Sequence, residues 1–480
     1  MKSEAFKTYK PLLFLFLAIL AIRLFSLGLY PLMDTTEARY AEMARLMTVN
    51  GDWVTPYIEP GVPFWGKPPL QTWVSAASFE LFGINEFAAR LPHFLAGMLV
   101  LLLVRLIALK RYDPNQSLAV TLVLASTAVF MMSIGAVMTD TLLMLSITLS
   151  LVSAWQVISL KDKKSGYLLY VGLGIGMLAK GPIAIVLVGV ALFLWCLIGN
   201  QWRNLWQELP WFTGSLIALA ISAPWFLLAE LKTPGFLEYF FIGEHWLRFT
   251  VSGWQGDLYG EAHAEPRGTI WLYALMGGFP WSLVLIFLLV RSKVKGPGVE
   301  DQDRQQWRMF LWSWALAPLL FFSPSANILP AYVLPGAPAL ALLVVEYIKT
   351  PIRSQVLALS CLTPIIFCVS LALLSSGRVE PKADKNLLVT HEREANESPL
   401  VYWKKLPYSA RFYSHGVAIL TENSGELIRL LGDRGIVVTP RNTEMPDSFL
   451  DQYHLKKIGE NQRRLMYQCT RKSSDNGIGQ

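Results

Sequence analysis

The chain has 480 residues, of which 53% are hydrophobic and only 16% charged, against roughly 25% charged in a soluble domain. So little charge cannot cover a solvated surface, and disorder, coiled coil and a scaffold stapled by four cysteines are excluded. The net charge of +7 lies between apolar runs rather than on one face, so it reads as membrane sidedness and not as nucleic-acid binding.

A membrane-crossing helix needs about 20 mostly apolar residues. Eleven runs approach that length: 11–30, 88–109, 116–139, 141–160, 166–179, 181–199, 209–229, 268–290, 309–322, 328–345 and 354–375. The first has no small-residue cleavage site behind it and reads as a retained anchor. With the N-terminus cytoplasmic, Lys110-Arg111, Lys161/Lys163/Lys164, Arg203, Arg291/Arg304/Arg308 and Lys349/Arg353 all fall on the cytoplasmic side, as positive residues do. Two long loops, 31–87 and 230–267, then lie outside with residues 376–480. This tail is denser in charge and has short β-like runs at 416–420 and 435–439. The expected architecture is an α-helical polytopic membrane domain over residues 1–375 and a small α/β soluble domain over 376–480.

Polar residues inside these runs are the first functional candidates. Arg23 lies within the first run, Asp140 is the sole charge between Asp113 and Lys161, and Lys180 the sole charge between Lys164 and Arg203. Each has a plainer reading. Asp140 can cap a helix beginning at Thr141, and Lys180, beside the helix-breaking Gly181-Pro182, can snorkel to the interface.

The first outer loop opens with Asp34-Thr35-Thr36-Glu37 and Ala38-Arg39-Tyr40-Ala41-Glu42, where Asp34 as N-cap and Glu37 three residues on fit a capping box. The helix to follow is weakly amphipathic, with Ala38, Ala41, Ala44 and Met47 on a stripe suited to the membrane surface. Farther on, Lys67 sits between Trp65-Gly66 and Pro68-Pro69. Its backbone freedom is limited by the prolines and its ammonium acts as a point charge for phosphate. The second outer loop carries Gly243-Glu244-His245-Trp246-Leu247-Arg248-Phe249, then His263 and Arg267. Such cations and aromatics suit a ligand with an anionic head, a sugar and a lipid tail, although an ordinary solvated loop would also contain them.

Together these segments resemble the bacterial lipid-linked-sugar glycosyltransferases of the GT-C class, most closely the lipid A aminoarabinose transferases and more distantly the protein O-mannosyltransferases. The likeness runs over residues 31–345. It rests on Glu37 to Glu42, Gly51-Asp52-Trp53, Lys67-Pro68, Phe82 to Phe87, Asp140, Lys180-Gly181, Glu244 to Phe249 and Leu329-Pro330-Ala331-Tyr332. Thr36 stands where the family has an aspartate, Gly66 where it often has an acid, and Asn327 where the aminoarabinose enzymes commonly have lysine.

The resemblance implies glycosyl transfer from a polyprenyl-phosphate sugar to lipid A, another envelope glycan or a protein, at the periplasmic face of the inner membrane. The donor phosphate would sit near Lys67, Arg248 and Tyr332, and the leaving phosphate would need such cations. Glu37, Asp140 or the displaced Asp34 would serve as base for a hydroxyl acceptor, whereas an ionised phosphate acceptor needs none. Arg39, Tyr40, Trp65, Lys180, His245 and Arg267 complete the expected substrate-binding set. No cofactor is implied with certainty; a divalent ion is left open by the acids and the histidine. The rival readings are a lipid-linked-sugar flippase and a surface-polysaccharide ligase.

Overall fold

The computed structural model describes residues 2–251, 254–256, 258–259, 265–294, 301–325, 327–348, 354–395 and 398–472. The chain divides into two compact units, Met1–Gly28 with Leu46–Ser370 and Leu29–Arg45 with Leu371–Gln480.

The first unit is helical. Among the described residues, six helices are long and apolar enough to cross a membrane: Tyr9–Ser26, Glu86–Leu109, Thr139–Ser159, Trp211–Lys232, Pro330–Ile348 and Gln355–Ser375. A seventh candidate is the pair Thr269–Gly277 and Trp281–Arg291, bent by 99°. The protein is a polytopic membrane protein. Its core is built on indoles: Trp155, Trp195 and Trp307 are fully buried, with the Trp155 ring 4.6 Å from Trp307 and 5.2 Å from Phe310.

The run 116–139, expected as one span, is broken. It forms the helices Pro114–Ala125 and Ala128–Ser133, and the Ser126 hydroxyl at the break accepts from Trp281 Nε1 at 3.0 Å. Arg23 accounts for the end of the second piece. Its Nε donates to Met131 O at 2.9 Å and its Nη2 to Met132 O at 3.1 Å. The guanidinium therefore satisfies carbonyls that the helix end leaves open, a structural task that the low dielectric makes stringent.

Thr139–Ser159 and Lys163–Lys180 form an antiparallel hairpin, so the start of one helix meets the end of the other. Their close approach needs glycine. A Cβ on Gly172 would stand 2.3 Å from Ser150 Oγ and 2.8 Å from the Ser146 carbonyl oxygen, as at other small-residue helix contacts in membranes.

In the second unit the tail is an α/β domain, as its composition suggested. Its five-stranded sheet runs in the order Ile419–Thr421, Leu400–Trp403, Arg434–Pro440, Arg464–Arg471, Tyr453–Glu460. The first three strands are parallel and the last two pair antiparallel. Alternate side chains point to opposite faces: Leu400 and Tyr402 join one buried cluster with Ile436 and Val438, and Val401 and Trp403 join the other with Leu427 and Phe449. Both faces are covered, as a parallel arrangement requires.

Candidate active site

In the first unit the hairpin brings Lys180 Nζ to Asp140 Oδ1 at 2.6 Å, with both residues buried. The helix starts at Thr139, so Asp140 lies in its first turn rather than at the cap. The capping explanation therefore fails for Asp140. Snorkelling fails for Lys180, whose ammonium is ion-paired inside the protein and lies 4.5 Å from the Tyr332 ring centre. Such a pair retains its charges only because each offsets the desolvation of the other.

Gly181 lets the chain turn directly after Lys180. Its φ of +80° and the 2.5 Å that a Cβ would leave to Phe240 Cζ both demand glycine. The ring it makes room for belongs to Tyr239–Leu247, a π-helical turn, an irregularity frequent at functional sites. This turn carries Glu244 and His245. The His245 Nδ1 lies 2.7 Å from Phe240 O and its Nε2 3.3 Å from Lys180 O; a neutral ring donates to one of these carbonyls, and the imidazole packs between the π-turn and the end of the hairpin.

Glu244 is the centre of a second cluster. Its Oε1 accepts from Lys67 Nζ and, at 2.7 Å, from Arg248 Nη1, while Oε2 accepts from Arg248 at 3.0 Å. The carboxylate is buried, and Lys67 and Arg248 are 17% and 25% exposed. The two cations thus keep an open side, and the acid that holds them has none. Burial raises the Glu244 pKa, yet the charges of Lys67 and Arg248 outweigh it and hold the carboxyl below its ordinary range. Burial and the Lys67 charge together depress His245 and favour the neutral ring. Asn327 Nδ2 donates to Arg248 O at 2.8 Å and anchors the same turn.

Trp65 flanks this cluster. Its N–H donates to Tyr259 Oη at 3.0 Å and its Nε1 to Thr233 Oγ1 at 3.2 Å. Arg267 is exposed, two residues before the Thr269–Gly277 helix, and makes no hydrogen bond or ion pair with another described residue. His263 lies outside the described residues. The geometry therefore gathers Lys67, Asp140, Lys180, His245, Arg248 and Tyr332, and leaves Arg267 apart. Among the described residues no three His, Cys, Asp or Glu side chains stand together as metal ligands. The sequence reading gave Glu244 no role; its signal was the i,i+4 spacing to Arg248 on one helical face.

The acidic first-loop motif belongs to the second unit. Glu37 Oε2 accepts the Met33 N–H at 3.1 Å, one residue before the expected cap, while the Asp34 N–H donates to Lys382 O at 2.8 Å, so the capping box does not form. Asp34 does not cap. Its oxygens accept from Ser409 N at 2.9 Å and Ser409 Oγ at 2.7 Å, with Arg463 Nη2 at 3.4 Å. Asp384 shares this cation and also meets Arg464 at 3.1 Å and Asn461 at 2.9 Å. The N-cap assignment for Asp34 is corrected: a tertiary partner with two donors outcompetes the local turn. The Arg39 guanidinium lies 5.3 Å from the Tyr40 ring centre. The Thr36–Asn50 helix is enclosed on more than its alanine stripe, since Tyr40, Glu42, Met43, Arg45 and Leu46 are buried too. Arg45 makes this tolerable by pairing with Glu42 through two bonds of 2.6 and 2.7 Å.

Residues 8–240 match the family described as dolichyl-phosphate-mannose-protein mannosyltransferase. The chain is similar to the undecaprenyl phosphate-alpha-4-amino-4-deoxy-L-arabinose arabinosyl transferase of Edwardsiella ictaluri, 30% identical over 321 residues that make up 65% of this chain and 55% of that protein. The enzyme of the same description from Serratia proteamaculans is 31% identical over 357 residues, 71% of this chain and 61% of that one. The chain thus spans somewhat over half the length of these relatives. The fold is shared with the crystal structure of ArnT from Cupriavidus metallidurans bound to undecaprenyl phosphate, at a TM-score of 0.76 and 20% identity, covering 95% of this chain and 97% of that one. The likeness read from the motifs holds: the chain is similar to the undecaprenyl phosphate aminoarabinose transferases, and residues 8–240 match the mannosyltransferase family.

Proposed function

We propose that the protein is a glycosyltransferase that moves a sugar from a polyprenyl-phosphate donor to lipid A or another envelope acceptor at the periplasmic face of the inner membrane. The observation that carries this reading is the pair of half-open cations, Lys67 and Arg248, held side by side by the buried Glu244. A phosphate that leaves the anomeric carbon gains negative charge as the glycosidic bond breaks, and preorganised cations lower that barrier. Tyr332 and the Asp140–Lys180 pair, joined to this cluster through His245, form the adjoining polar wall. The relatives named for an undecaprenyl-phosphate aminosugar donor support the same donor class. Trp65 completes the proposed substrate-handling set, with Asp140 as base where the acceptor is a hydroxyl. The basic clusters of the short loops support the outward orientation.

The test is turnover by the purified protein in proteoliposomes holding undecaprenyl-phosphate-aminoarabinose and lipid A. Acceptor gaining the mass of one sugar, with release of undecaprenyl phosphate, is the expected result. Movement of intact donor across the bilayer with no acceptor modified would replace the enzyme by a flippase.

A further inference from the structure

The second unit holds a cavity of about 490 Å³ that none of the glycosyl-transfer residues lines. Its walls come from chain segments next to two membrane-crossing helices. Leu29 and Tyr30 follow the Tyr9–Ser26 span by a few residues, and Leu374 and Ser375 end the Gln355–Ser375 span. The cavity therefore lies where apolar helices give way to polar chain, the depth of lipid headgroups. Leu29 exposes 64% of its surface there and supplies an apolar rim.

The opposite wall is charged. Arg378 lines the cavity, is exposed, and has no hydrogen bond or ion pair with another described residue. Lys385 and Asn386 line it from the first turn of the Lys385–Ala395 helix, whose N-terminal amides favour an anion. The acid next to that turn, Asp384, is engaged by its own partners, ion-paired with Arg464 at 3.1 Å and accepting from Asn461 at 2.9 Å. One carboxylate faces the cavity as well: Glu380, whose Oε2 accepts the Gln462 N–H at 2.8 Å.

We propose that this cavity binds the headgroup of a phospholipid carrying both a phosphate and an amine, with its acyl chains along the apolar rim. Arg378, Lys385 and the helix N-terminus take the phosphate, and Glu380 takes the ammonium. A snorkelling arginine at a span end would need neither the helix N-terminus nor the acid. A volume of this size is that of a small-molecule site and admits a glycerophosphate head with its amine.

The full-length protein, stripped of lipid by detergent exchange, is offered phosphatidylethanolamine, phosphatidylglycerol or phosphatidylcholine, and bound lipid is counted by native mass spectrometry. One phosphatidylethanolamine per chain is expected to persist. Arg378→Ala should weaken it about tenfold, the loss of one charge-assisted contact, while Arg378→Lys keeps most of it. Glu380→Gln should erase the preference for phosphatidylethanolamine over phosphatidylglycerol. Equal retention of all three lipids by the wild type, or unchanged retention by Arg378→Ala, overturns the proposal, as does displacement of the lipid by millimolar inorganic phosphate. Glycosyl transfer is a separate readout, so failure of either reading leaves the other standing.

Discussion

Asp140 and Lys180, forty residues apart in sequence, are joined at 2.6 Å because they occupy the open ends of one antiparallel helical hairpin. Each would be prohibitively costly alone at that depth. The pair is therefore a single structural unit, and its members cannot be judged by separate substitutions.

Either Asp140→Asn or Lys180→Met should destabilise the protein by about 3–5 kcal/mol, because a buried charge loses its partner. The double variant should regain much of that loss, since neutral side chains need no compensation. Melting temperatures in detergent across the four-member cycle check this. A double variant that is stable yet inactive assigns the pair to substrate handling; a double variant whose loss equals the sum of the two single losses would mean that the two do not interact.

Lys67→Ala should lower turnover about a hundredfold, the effect of removing one preorganised contact to a developing phosphate charge. Arg248 still pairs with Glu244 in that variant, so folding should be retained. Single-turnover rates beside melting temperature are the measurement, and wild-type turnover would remove Lys67 from the site.

Glu244→Gln keeps the shape and removes the charge that holds Lys67 and Arg248 together. The bare cations repel, so the melting temperature of the free protein should fall. A bound polyprenyl phosphate restores the missing negative charge, and ligand binding stabilises by linkage. Undecaprenyl phosphate should consequently raise the melting temperature more in Glu244→Gln than in wild type. An equal or smaller rise would show that the phosphate does not meet these cations.

The pKa values of His245 and Glu244 are both held below their ordinary 6.5 and 4.5. The unfolded chain then binds more protons than the folded one, and stability falls as pH falls. The His245 part is lost first, from about pH 6.5 downward, and the Glu244 part below about pH 4.5. Melting temperature against pH should show the first limb in wild type and lack it in His245→Gln. An unchanged limb in that variant would assign it to other groups.

Asp34→Ala should act on stability. Its carboxylate accepts two bonds from Ser409 and faces Arg463, so truncation leaves buried donors unsatisfied at about 1–3 kcal/mol. Asp34→Asn keeps one acceptor and should lose less. A fall in turnover at unchanged melting temperature would instead return Asp34 to the chemistry.

The sequence by itself determined what depends on short stretches of chain. Twenty apolar residues bury their own backbone hydrogen bonds wherever they lie, so the membrane-crossing class and the α/β tail were legible from composition and run length. An isolated charge in an apolar run needs a partner, and Arg23, Asp140 and Lys180 stood out on that ground, Lys67 by the aromatics and prolines around it. Tertiary structure alone decided who answers them. Lys67 meets Glu244 across 177 residues, Arg23 closes a helix end 108 residues away, and Asp34 leaves its local cap for Ser409, 375 residues on. The break at Ser126 was hidden for the same reason: hydropathy records whether a segment tolerates burial, but the partner that satisfies a broken backbone is supplied by another part of the chain.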